Sequence, residues 1–187
     1  IRQYNERVIR GLGDLYDELT VFVAQQGGNQ GQYDHRLRLS REMRMTPEWE
    51  QIEVVWDGLA MQMGAAIEEL DRAIDLVRSF QGYKIPAYDD LVEDGAMLRG
   101  QLAAAQGQLE SILLNPQGDE ITWIRTRARS DEVALSAVPL RVDRLVEQHL
   151  LWPKEAVIFT SATLRTGGDF TFIKDRLGAR DAHELAV

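Results

Sequence analysis

Thr160, Ser161 and Thr163 place three hydroxyls within four residues, directly behind the apolar run Ala156, Val157, Ile158, Phe159. If that run is a buried strand, the hydroxyls emerge at its carboxyl end, where open α/β sheets hold their ligands. Hydroxyls there can report on a phosphate or bridge two loops, and an ordinary Ser/Thr turn accounts for them equally well. Two groups of arginines offer different chemistry. Arg36, Arg38, Arg41 and Arg44 fall within nine residues, and Arg125, Arg127 and Arg129 alternate so that all three point to one face of a strand. Either group can grip the backbone of single-stranded DNA, with Trp123 or Tyr33 as a stacking surface. The competing reading is a solvated edge strand, whose charges discourage pairing with another sheet. The acidic group Asp89, Asp90, Glu93 and Asp94 has the residue types of a cation site, but it falls in the first turns of a helix, where carboxylates favour the helix dipole.

Other inventories of catalytic groups are missing. The chain has no cysteine, which excludes a disulfide framework and any thiolate-held zinc or iron-sulfur site within these residues. His35, His149 and His183 stand far apart without HxxxH spacing, so no metal is expected. There is no GxxxxGK[ST] loop to cradle a phosphate. Asp181, Ala182, His183 and Glu184 carry the letters of a DEAH box in another order and follow no apolar strand, so they read as a decoy. No apolar run approaches the length of a membrane span and no charged-then-apolar leader opens the chain, so the expectation is a cytoplasmic protein with no membrane partner. The opening Ile1-Arg2 and the ending Ala186-Val187 read as the ends of an internal piece.

These residues need elements to position them. A chain of 187 residues has room for one domain and part of another, and 44% apolar with 27% charged residues is a globular rather than a disordered balance. The net charge of −9 is unevenly spread. Residues 45–120 carry 4 basic against 15 acidic groups, while residues 1–44 carry 7 against 6 and residues 121–187 carry 10 against 9. The middle of the chain should therefore repel phosphate, and any DNA contact must come from the flanks.

From Arg2 to Gln25, Val8, Leu12, Leu15, Leu19 and Phe22 recur in steps of three and four, which predicts an amphipathic helix. Residues 26–35 read as a loop, and residues 35–39 as a short extended segment. Thr46 is a candidate N-cap and Pro47 suits a first helical position, opening a helix to about Phe80. Its seam is Ile52, Trp56, Leu59, Met63, Ala66, Leu70, Ala73 and Val77. A break at Gln81–Pro86 leads to a third helix from about Ala87 to Leu114, with Leu91, Leu98, Leu102, Ala105, Leu109 and Ile112 in the same rhythm. Together these predict a long antiparallel hairpin completed by the first helix. After Gly118 the pattern changes. Residues 120–127 and 133–138 read as a β-hairpin turning at Ser130-Asp131, followed by a short helix to about Leu150, a buried-type strand at 156–160, a Gly167-Gly168 turn and a helix over about 170–177. The expected fold is mainly α, an arch-like helical domain over 1–117 followed by a partial α/β segment over 118–187.

The string Ala156 to Gly178, AVIFTSATLRTGGDFTFIKDRLG, resembles the motif III region of the DinG/XPD superfamily-2 DNA helicases, with Trp123, Leu135, Pro139, Leu140, Val142 and Leu145 fitting the lead-in of the DinG branch. The resemblance is specific over residues 119–178 and architectural over 1–118, where three long helices occupy the place of the family's arch domain. It implies that Thr160, Ser161, Ala162, Thr163 and Leu164 form a coupling motif linking a nucleotide site to DNA movement, and that none of them is a catalytic acid, base or nucleophile. It further implies a parent ATP-dependent helicase, using ATP and Mg and moving 5′ to 3′ on single-stranded DNA, or a branch carrying an exonuclease. The phosphate loop and DEAH acids belong to missing motor segments of the same polypeptide, so this chain alone should not hydrolyse ATP and holds no cofactor. The family's iron-sulfur domain precedes the DEAH box, so the absence of cysteine here says nothing about the parent. The alternative from another class is a helical scaffold that recruits a protein partner through the seam from Ile52 to Val77.

Overall fold

The computed structural model describes residues 2–27, 35–83, 85–114, 120–127 and 132–186, and the chain divides into two compact units, Ile1–Ala137 and Val138–Val187. The architecture is mainly helical with one small antiparallel sheet, as the sequence predicts.

The first unit contains α1 (Arg2–Gln25), β1 (His35–Arg38), α2 (Pro47–Ser79), α3 (Tyr88–Leu113) and β2 (Glu120–Thr126), and the greater part of β3 (Val133–Pro139). Thr46 caps α2 as expected. Its backbone is extended, its Oγ1 accepts a hydrogen bond from Trp49 N at 3.3 Å, and Pro47 follows where a missing N–H costs nothing. Trp49, Ile52, Trp56, Leu59, Met63 and Ala66 then form the buried stripe of α2 and meet Val8, Leu15, Leu19, Phe22 and Val23 of α1. The two helices approach closely at Gly11, where a Cβ would stand 3.1 Å from Leu59 Cδ1. Phe22 meets the Trp49 ring edge-on, with centroids 5.2 Å apart.

The packing face of α3 follows the predicted seam at Leu102 and Leu109 and departs from it toward the start of the helix. Leu91 and Leu98 are each 52% exposed. The side turned to α2 instead carries Gly95, whose Cβ position lies 3.0 Å from Ile74 Cγ1, Arg99, which pairs with Asp71 at 3.1 Å, and Gln106, whose Nε2 donates to Ala60 O at 3.2 Å. Leu102 and Leu109 pack on the same side, and Leu113 is fully buried. Apolar residues stand on more than one side of α3, so the rhythm alone did not select a face; the small Gly95 and the two polar contacts do. The α2 seam is consumed internally: Ile52 through Ala66 are buried, and Leu70, Ala73 and Val77 are half-buried.

The sheet has the order β1-β2-β3. β1 runs antiparallel to β2, with His35 opposite Thr126, Arg36 opposite Arg125, Leu37 opposite Ile124 and Arg38 opposite Trp123. Leu39 N extends the ladder to Thr122 O at 2.9 Å, and Arg127 N donates to Glu132 O at 3.3 Å where β2 turns into β3. Because side chains alternate along a strand, Leu37, Ile124, Val133 and Leu135 face the helical core and the arginines face away. A strand from before the long helices is thus stitched to the hairpin that follows them. The compact unit therefore continues to Ala137 and does not end near residue 117, where the composition changes.

The second unit holds α4 (Asp143–Val146), which runs into a π-helical turn at Glu147–Leu151, and α5 (Thr171–Leu177). Gly178 ends α5 with φ 67°, and a Cβ there would lie 2.9 Å from Asp143 O, so backbone passes close to backbone. Residues 156–160, predicted to be a buried strand, form no strand, and Ile158 is 86% exposed. An apolar run becomes a strand when neighbouring strands pair its backbone and cover its sides. Among the described residues of this unit no strand does so, and none of its side chains is buried.

Candidate nucleic-acid interface

The hydroxyl motif occupies an exposed turn. Ser161 Oγ and Thr163 Oγ1 lie 3.1 Å apart, and Thr163 N donates to Ser161 Oγ at 3.2 Å, so the serine folds the backbone over itself in a local Ser/Thr turn. Thr160, Ser161, Ala162 and Thr163 are exposed and Leu164 is half-buried. The next turn is fixed by Gly167 and Gly168, both at positive φ (66° and 99°), which close a bridge between Thr166 and Asp169. Arg165 Nε donates to Gly168 O at 2.6 Å, and Asp169 Oδ1 accepts from Thr171 N at 2.9 Å at the entrance of α5. The motif residues are therefore held by short-range turn chemistry, with their side-chain oxygens open to solvent.

Downstream, Lys174 Nζ on α5 lies 3.0 Å from both Glu184 Oε1 and Ala182 O. The Asp181–Glu184 segment is a tail tied to a helix.

The arginine groups separate into different roles. Arg36 and Arg125 stand directly opposite one another across β1 and β2, and Arg38 stands opposite Trp123. All four lie on the outward face of the sheet; Arg36 and Arg38 are exposed, and Trp123 and Arg125 are half-buried. Arg127 shares that face by alternation and pairs with Glu132 at 2.7 Å. Arg41 is exposed in the turn after β1, beside Glu42, whose carboxyl is held below its ordinary value chiefly by a hydrogen bond from Ser40. Arg129 and Tyr33 lie outside the described residues.

Arg44 points into the fold. Its Nη1 donates to Leu113 O and its Nη2 to Thr122 Oγ1, both at 2.8 Å, while the guanidinium sits 4.9 Å from the Trp49 ring centroid. Burial lowers its pKa, and the Glu53 carboxylate opposes that effect. It ties the end of α3 to the central strand. Spacing within HRLRLSREMR could not separate it from the exposed arginines, because the partners that engage it lie 69 and 78 residues away.

Ala134 and Ser136 also belong to the outward face, since Val133 and Leu135 between them face the core. Sequence reasoning passed over them, although the alternation in VALSAVP carries the signal.

No protein-family model matches the chain. A curated protein, the 3'-5' exonuclease DinG of Bacillus subtilis (strain 168), is 35% identical over 75 residues. The similarity is to DinG. It covers 39% of this chain and 8% of that protein's length. Among the described residues no helix is long and apolar enough to cross a membrane.

Proposed function

We propose that this chain is a segment of a DinG-like, ATP-dependent DNA motor: a helical arch that guides a single strand, joined to a stretch of the first motor domain whose Thr160–Leu164 turn couples ATP hydrolysis to strand movement. The partial identity to a DinG protein is the observation that carries this reading. In keeping with it, the hydroxyls of Ser161 and Thr163 are exposed and held in a tight turn, and the arginine face lies on strands that flank the acidic stretch in the sequence. The phosphate cradle, the metal-holding acids, ATP and Mg belong to other parts of the full-length protein. Its polarity is 5′ to 3′ on single-stranded DNA; the relative's name, an exonuclease, marks the other activity to assay.

Against a scaffold docking through the α2 seam stands the burial of Ile52, Trp56, Leu59, Met63 and Ala66 within this chain, which leaves only the half-buried Leu70, Ala73 and Val77 of that seam to a partner. DNA-stimulated ATP hydrolysis by the full-length protein, assayed beside the 187-residue chain, tests the proposal. Activity in the former and none in the latter is expected. A folded full-length protein that hydrolyses no ATP with DNA present would reject the motor.

A further inference from the structure

The outward face of the sheet combines features that separate explanations cover only in part. Arginines on an edge strand protect that edge from pairing, and this accounts for Arg36 and Arg38 on β1. It does not account for Arg125 and Trp123, which sit on β2, the central strand. Like charges directly opposite each other weaken a sheet, yet Arg36 faces Arg125. Among the described residues no carboxylate pairs with Arg36, Arg38 or Arg125, although Arg127 on the same face has its Glu132. By alternation Ala134 and Ser136 of the third strand share this face and β2 adds the half-buried Ile121, so among the described residues the arginines are its cationic groups and the indole its aromatic ring.

We infer that this face, Arg36, Arg38, Trp123 and Arg125, is a contact site for single-stranded DNA in which Trp123 stacks on a base and the three arginines hold the flanking phosphates. This rests on the motor reading for the identity of the partner and adds to it a location and a strand preference. Rows two residues apart along a strand are separated by roughly 7 Å, a distance of the order of one nucleotide of an extended strand, so the Arg36/Arg125 row and the Arg38/Trp123 row can follow successive steps of one backbone. Stacking needs an unpaired base. A duplex keeps its base faces stacked on one another, so Trp123 should add affinity for single strands alone. The acidic stretch 45–120 repels phosphate from the helical hairpin and leaves this face the favourable approach within its unit.

The test is anisotropy binding of labelled oligo(dT), and of a duplex of equal length, to the full-length protein and its variants, with ATP hydrolysis measured on the same samples. Trp123→Ala should weaken oligo(dT) binding about tenfold and leave duplex binding unchanged, with Trp123→Phe restoring most of the loss. Arg36→Ala and Arg125→Ala should each weaken both substrates and each flatten the salt dependence for oligo(dT) by about 0.7 in log–log slope. Because Trp123 is half-buried, unchanged thermal melting is required of each variant, and the exposed Arg36→Ala keeps the test valid if Trp123→Ala misfolds. Variants that bind oligo(dT) like wild type, in a protein that still hydrolyses ATP with DNA, would overturn the contact site and leave the motor standing. Loss of oligo(dT) binding in the variants of a protein without ATP hydrolysis would uphold the site and reject the motor. Equal effects of Trp123→Ala on single strand and duplex would overturn the stacking role.

Discussion

Arg44 Nη2 donates to Thr122 Oγ1 at 2.8 Å, joining the loop before α2 to the central strand of the sheet. The same guanidinium holds Leu113 O and covers one side of Trp49, so a single side chain serves the sheet, the end of α3 and the start of α2. Replacing it by Met leaves a buried carbonyl and hydroxyl without a donor, and hydrogen bonds from charged groups contribute more than neutral ones. Arg44→Met should therefore cost about 2–3 kcal/mol in urea unfolding. Arg36→Met, on the open face, should stay within about 0.5 kcal/mol.

Two glycines of α3 should respond in opposite directions. Nothing lies within 4 Å of a Cβ built on Gly107, so Gly107→Ala should raise stability by about 0.5–1 kcal/mol through helix propensity alone. At Gly95 the Ile74 side chain is already 3.0 Å away, and the branched Gly95→Val should lose about 1–3 kcal/mol by forcing α3 off α2. Thermal melts of the two variants give the sign directly.

Arg141 Nη2 lies 2.7 Å from Asp143 Oδ2 and, by that hydrogen bond first, holds the Asp143 carboxyl below its ordinary value. A carboxyl depressed in the fold stabilises it above the unfolded value and loses that contribution as pH falls through the folded one. Asp143 should thus stay ionised below the usual aspartate range, and its release on acidification should loosen the start of α4. A carboxyl-carbon NMR titration checks this: Arg141→Ala should move the Asp143 midpoint upward, and an unmoved midpoint would dismiss the pair.

If the Thr160–Leu164 turn couples hydrolysis to movement, the double variant Ser161→Ala, Thr163→Ala in the full-length protein should keep most of its DNA-stimulated ATP hydrolysis and lose unwinding. The Ser161 hydroxyl accepts from Thr163 N, so the turn relaxes while no group of the chemistry is touched. Parallel loss of both activities would count against a coupling role.

How much was legible follows from the range of the interactions. The cap at Thr46, the stripe from Ile52 to Ala66 and the turn at Gly167 and Gly168 are encoded within a few residues of themselves, and the sequence predicts each. The face of α3 depends on Asp71 and Ile74, a helix away, so periodicity placed Leu91 and Leu98 inward when they stand in water. The run at 156–160 has strand composition without strand partners in its unit, which composition cannot reveal. In the candidate site, alternation showed that Arg125 and Arg127 share a face, but only the pairing of β1 with β2 sets Arg36 against Arg125 and separates both from Arg44.

That opposition also makes the sheet respond to its ions. Directly opposed residues hold their Cβ atoms about 5 Å apart, inside a screening length of about 8 Å at physiological ionic strength, so wherever the two guanidinium groups stay as close, dissolved salt relieves their repulsion only in part. A phosphate seated between them relieves it far more, and whatever binds the folded face but not the unfolded chain raises stability with its own concentration. If a single strand binds this face as proposed, the sheet of this unit gains cohesion as the polyanion is laid across it, so occupancy by a strand and rigidity of the strands beneath it rise together.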